Sequence, residues 1–217
     1  MDSVRREIDY RAMRVIIGSI AILLAPFVYI FSGHGELTSI SMSYWTDARD
    51  IFVGSLIVVG FFLSAYNGEG YKRDWEFYIS KVACVLAVCV ALFPTAGCSA
   101  LNVAPVWTVK LSGFFGLRPQ HIHYGSAILL FACLIAMMWF FSSRALCKGK
   151  RGRAYFYRII AILMAVGILS LLYMGYLLNW KNTVLYVEIL GLSLFGVGWL
   201  AAGTYKVDPI VAPCVAN

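Results

Sequence analysis

Apolar residues along this chain gather into long, nearly unbroken runs. Six runs stand out, at about residues 15–31, 51–66, 78–97, 122–142, 158–178 and 183–203. Helices of about 16 to 21 residues, rising 1.5 Å each, match roughly 30 Å of hydrocarbon. In lipid an open sheet leaves backbone groups unpaired, and these runs lack the two-residue alternation of an outer-membrane barrel, so all six predict helices. The expected fold class is all-α: a polytopic integral membrane helical bundle, with residues 1–217 forming one transmembrane domain. The second run is the shortest, and its first turn is expected near Thr46 or Asp47.

Composition agrees. The 217 residues are 61% hydrophobic and 13% charged, against about 45–50% and about 25% in soluble domains. A net charge of +7 would suggest nucleic acid only if the basic residues formed one solvated patch. Instead they sort by side. Arg5, Arg6, Arg11, Arg14, Lys72, Arg73, Lys81, Arg144, Lys148, Lys150, Arg151, Arg153, Arg158 and Lys206 fall on one side, and Arg49, Lys110, Arg118 and Lys181 on the other. That split of 14 to 4 among the 18 basic residues predicts cytoplasmic N- and C-termini. The charged start is followed by an apolar run without a small-residue cleavage pattern, so the first span is expected to be retained. The expected location is the cell membrane, multi-pass, in the bacterial inner membrane, with membrane lipids and no nucleic acid as partners.

Two connections on the outward side are long. Ser32 to Thr46 is rich in Gly, Ser and Thr; Cys98 to Gln120 is partly apolar, with Val109, Leu111, Phe114, Phe115 and Leu117. The second is expected to lie in the interface or to fold over the bundle mouth. Cys84, Cys89 and Cys133 fall inside spans as small apolar packing. Gly54 and Gly60, and Gly191, Gly196, Gly198 and Gly203, read as close-packing positions.

The few polar residues at depth are the candidates for chemistry. Glu188 lies more than a turn inside the sixth span, where a carboxylate costs about 2.5–3.5 kcal/mol unless it meets a partner or a wet cavity; a structural pair with Arg49 is one alternative. Asp47 and Asp50 share a face at the head of the second span, favoured there by the helix dipole, with Asp47 able to serve as an N-cap. His121 and His123 follow Pro119; at i and i+2 they point apart, so only one faces inward, and His123 is the deeper. Pro94 frees a carbonyl one turn back, beside Thr95. Asp50, His123, Glu188, Arg49, Thr95 and Tyr44 are expected to converge on an outward-opening pocket in the outer third of the bilayer.

The stretch SMSYWTDARDIFVGSL, followed by ALFPT, an outer-side His at the fourth span and a Glu before FGVGWLAAG, resembles bacterial six-span membrane proteins, loosely of the Frag1/DRAM/Sfk1 type. That resemblance implies a fold and no defined activity. A weaker similarity is to the CREST membrane hydrolases, which place a Ser, an Asp and three His around zinc. Three His and Asp50 are present here, but S-x-x-x-H is absent, H-x-H replaces H-x-x-x-H, and there is one span fewer.

Two functions follow as expectations. In the first, the pocket binds a lipid or lipid-like ligand, with Arg49, Tyr44 and Thr95 as its contacts. In the second, a metal-dependent or acid/base lipid hydrolase or transferase uses Asp50, His123 and Glu188 at the outer leaflet, with zinc possible on His123 and Asp50. A channel is disfavoured because no span carries a continuous polar stripe.

Overall fold

A computed structural model describes residues 10–33, 37–66, 75–97 and 102–204, and among these there is no strand. Among the described residues seven α-helices follow one another: α1 Tyr10–Phe31, α2 Arg49–Ala65, α3 Trp75–Leu92, α4 Val106–Phe114, α5 Pro119–Cys147, α6 Arg151–Leu178 and α7 Thr183–Thr204. A short 3-10 helix, Ser41–Trp45, precedes α2. Among the described residues five helices, α1, α3, α5, α6 and α7, are long and apolar enough to cross a membrane. The 17 residues of α2 reach about 25 Å at 1.5 Å per residue.

The six long helices form a closed ring in chain order. α1 packs on α2, α2 on α3, α3 on α5, α5 on α6, α6 on α7, and α7 returns to α1; α5 also reaches α7 across the ring. The upper end holds the C-terminal ends of α1, α3 and α6 with the N-terminal ends of α2, α5 and α7; the lower end holds the opposite termini. Large apolar side chains such as Phe61, Val85, Ile128, Leu169 and Tyr173 face away from the bundle, while Met137, Met138, Met164, Phe195 and Trp199 are fully enclosed. The gap between α1, α2, α3, α5 and α7 is about 20 Å³ and apolar, lined by residues including Leu24, Leu56, Leu134 and Phe195. That is room for little more than one water, with no polar partners to hold it.

Small residues set the closest seam. A Cβ on Gly18 of α1 would lie 2.8 Å from the Gly196 carbonyl oxygen of α7, and one on Gly196 would lie 2.7 Å from that of Gly18. The two backbones therefore touch, as small residues allow in lipid.

Helix ends follow local chemistry and correct several expected boundaries. Pro119 opens α5 at a position whose N–H would have no intrahelical partner. α3 stops at Leu92 rather than running to residue 97, because Pro94 has no N–H for the Val90 carbonyl and disfavours helix at Phe93. α2 starts at Arg49 rather than Thr46 or Asp47. The Thr46 hydroxyl donates to the Ser43 carbonyl at 3.0 Å and accepts the Ala48 N–H at 3.2 Å, which holds residues 46–48 in a turn. Ala48, not Asp47, occupies the N-cap position.

The second long connection contains α4, which the hydrophobic pattern did not single out. Its Thr108 and Ser112 are buried, while Val106, Phe114 and Phe115 are exposed. Both hydroxyls are satisfied within the segment, by Pro105 and Val109 carbonyls. The ring of Trp107 meets that of Phe93 at 5.7 Å, so α4 is anchored beside the end of α3 with an apolar face turned outward.

Candidate functional site

The upper end is built from two segments that leave regular helix, residues 37–48 and residues 93–97. The first folds inward: Leu37, Ile40, Ser41, Ser43 and Tyr44 are all buried. Entering a 3-10 helix leaves backbone N–H groups without intrahelical partners. Here Glu188 supplies the acceptor, because α7 carries its carboxylate to the start of that turn. One oxygen takes the Ser41 hydroxyl at 2.6 Å and the other takes the Ile40 N–H. The Leu185 N–H, almost one turn earlier, bonds the Thr38 carbonyl at 3.1 Å. Glu188 is thus a buried carboxylate satisfied by a capping role.

The second segment is the C-terminal end of α3, whose last carbonyls need donors once Pro94 ends the helix. His123 Nδ1 meets the Phe93 carbonyl at 2.8 Å, and the Val90 carbonyl freed by Pro94 also faces the ring. Tyr44 donates its hydroxyl to the Leu92 carbonyl at 3.4 Å, and Trp45 its indole N–H to the Thr95 carbonyl at 3.1 Å. The Tyr124 hydroxyl accepts from Thr95 Oγ1 at 2.9 Å and from the Ala96 N–H at 3.2 Å. Nε2 of His123, a residue only 1% exposed, has no hydrogen-bond partner among the described residues.

Four of the six candidates, Tyr44, Arg49, Thr95 and His123, gather around the broken end of α3. Arg49 donates to the Tyr44 hydroxyl at 2.9 Å, and its guanidinium stands 4.4 Å from the centre of that ring. It does not pair with Glu188, which is occupied by the 3-10 turn. Asp50 is exposed, as is Asp47, and neither makes a hydrogen bond or ion pair with the described residues. His121 is exposed at the start of α5. His34 and Glu36 lie outside the described residues. Among the described residues no three His, Cys, Asp or Glu side chains group as metal ligands; His123 is enclosed against Phe93 while Asp50 faces out.

A second polar cluster, at the lower end, was not singled out from sequence. Glu76 pairs with Arg144 at 3.0 Å, and the Tyr66 hydroxyl donates to Glu76 at 2.8 Å. Ser80 and Lys81 both donate to the Tyr66 carbonyl, at 2.9 and 3.0 Å. Tyr66 also meets the Trp199 ring at 5.4 Å. The sequence signal for it is an acid at the head of a span with Ser80 one turn further on the same face; Arg144, at a span end, reads there as an orientation charge.

No protein family, curated protein or solved structure shows significant similarity to this chain.

Proposed function

We propose that this chain is a six-span integral membrane protein, both termini cytoplasmic, that binds a lipid at its outward end. The 14-to-4 division of basic residues supports an outward upper end, and the place of α2 between two long apolar helices supports a sixth span. The observation that carries the binding reading is the state of Arg49. It is an exposed cation at the upper end, held across Tyr44, with no described carboxylate paired to it. Guanidinium suits a phosphate, which it grips through two parallel bonds. Asp47 and Asp50, flanking it in sequence, suit an ammonium group. A cation between two carboxylates matches a headgroup carrying both charges, such as phosphatidylethanolamine. In this reading Glu188, His123 and Thr95 hold the two folded segments that present Arg49, and Tyr44 is its platform.

Native mass spectrometry of the full chain in a non-ionic detergent, titrated with phosphatidylethanolamine, tests this. Arg49→Gln is expected to weaken binding about tenfold, the loss of one charge-assisted contact. Wild-type protein that retains no such lipid, or an Arg49→Gln variant that binds equally well, overturns it.

One observation favours the hydrolase or transferase alternative: the unpartnered Nε2 of buried His123. That nitrogen would serve as the base toward a substrate entering beside Phe93. Release of free fatty acid or headgroup by the purified protein, abolished in His123→Gln, would establish that reading in place of simple binding.

A further inference from the structure

The turn joining α6 to α7 forms a groove with a composition unlike the head of α2. It is an open depression of about 470 Å³ lined by Leu171, Trp180, Lys181, Asn182 and Tyr186, within the range of small-molecule sites. Its walls are fixed by the backbone. Asn179 takes the left-handed conformation, φ 51°, which Asn tolerates better than most residues. The Trp180 N–H then returns to the Gly175 carbonyl at 3.1 Å. Thr183 donates its hydroxyl to the Trp180 carbonyl at 2.8 Å. A side chain at Gly175 would collide with Thr183, so only glycine lets the two helices meet this closely. The rings of Trp180 and Tyr186 pack edge to face at 6.5 Å.

Depth and charge identify the occupant. Arg158, near the lower end of α6, stacks over Trp139 at 4.9 Å. From Arg158 to Leu178 the helix rises about 30 Å, one hydrocarbon thickness. The groove therefore lies at headgroup level on the opposite face, where Trp and Tyr concentrate. Lys181 is exposed and has no carboxylate partner among the described residues. Below it Leu178, Met174 and Leu171 follow one another down one face of α6, the first two exposed and the last lining the groove. A single cation above an apolar track complements an anionic headgroup on an acyl chain.

We propose that this groove binds an anionic glycerophospholipid of the outer leaflet. The Lys181 ammonium meets the phosphate, the Asn182 amide meets the glycerol or ester oxygens, and one acyl chain runs past Leu171 along α6. The site is separate from Arg49 and stands whether or not that residue binds lipid.

Native mass spectrometry of the full chain in a non-ionic detergent, titrated with phosphatidylglycerol, reads the site directly. Lys181→Gln is expected to weaken phosphatidylglycerol about fivefold, the scale of one basic residue at a lipid surface, and Lys181→Glu to weaken it further. Lys110→Gln, which removes a cation from α4, leaves it unchanged. Lys181→Gln made in an Arg49→Gln background still lowers phosphatidylglycerol binding, so failure here and failure of the Arg49 site are distinguishable. Wild-type binding in both Lys181 variants overturns the proposal, as does an equal loss in Lys110→Gln. A change in oligomeric state with unaltered lipid binding overturns it too, assigning the groove to a second copy of the chain.

Discussion

Glu188 on α7 accepts the hydroxyl of Ser41 at 2.6 Å, joining side chains 147 residues apart. The carboxylate is the cap of a buried turn, so its removal acts on architecture before chemistry. Glu188→Ala leaves the Ile40 N–H and the Ser41 hydroxyl without acceptors, at about 1–3 kcal/mol for each buried group. The expected outcome is a marked fall in thermal unfolding temperature in detergent. Glu188→Gln retains one good acceptor and should fall less; equal losses would show that the charge, not the acceptor geometry, matters.

The end of α3 gives a graded series. Tyr124→Phe removes the acceptor for Thr95 and Ala96 and should cost about 1 kcal/mol, while His123→Ala also opens a cavity and should cost about 2–4 kcal/mol. Because both serve the same broken segment, the double variant should lose less than the sum. Strict additivity in thermal melts would mean that the two residues act on independent parts.

At the lower end, Glu76→Gln separates pair from network. Breaking a buried pair by removing one charge costs about 3–5 kcal/mol, whereas replacing the whole pair by apolar residues is often neutral. Glu76→Gln should therefore lower the unfolding temperature more than the double change Glu76→Leu with Arg144→Met. The reverse order would show that the ion pair itself stabilises the fold.

The α1–α7 seam is the strictest packing test. Gly196→Ala places a methyl carbon 2.7 Å from the Gly18 carbonyl oxygen, and backbone cannot yield as a side chain can. A loss of about 1–3 kcal/mol is expected from overpacking. Gly54→Ala, inside α2 at a position with open space around it, is the matched control and should raise the melting temperature slightly, since Ala favours helix over Gly by about 0.5–1 kcal/mol.

The hydrophobic runs made the helices legible, because six apolar stretches near bilayer length have few alternatives to helix. Their ends were less legible. Pro94 announced a break, but that His123, Tyr44 and Trp45 would fill it depends on α5 and the first loop arriving at one place, which no local pattern encodes. Glu188 was conspicuous by depth alone; its partner is a backbone N–H, and backbone groups leave no trace in side-chain patterns. Asp50 had the composition of a site residue yet lies exposed, since helical phase at a helix start depends on where that helix begins. The Glu76–Arg144 pair was hidden by its position at span ends, where charge is ordinary.

α1 and α7 are fastened along their whole length. Their backbones touch at Gly18 and Gly196, Arg11 and Arg14 donate to the Gly203 and Ala202 carbonyls at the lower end, and Glu188 holds the loop that leaves α1 at the upper end. Closure of the ring depends on this. A chain synthesised only through α6 has no partner for the first helix's glycine face and no cap for the buried turn. Without α7 the other long helices would pack as a line with two open edges, and the bundle closes into a ring only where α7 joins α6 to α1.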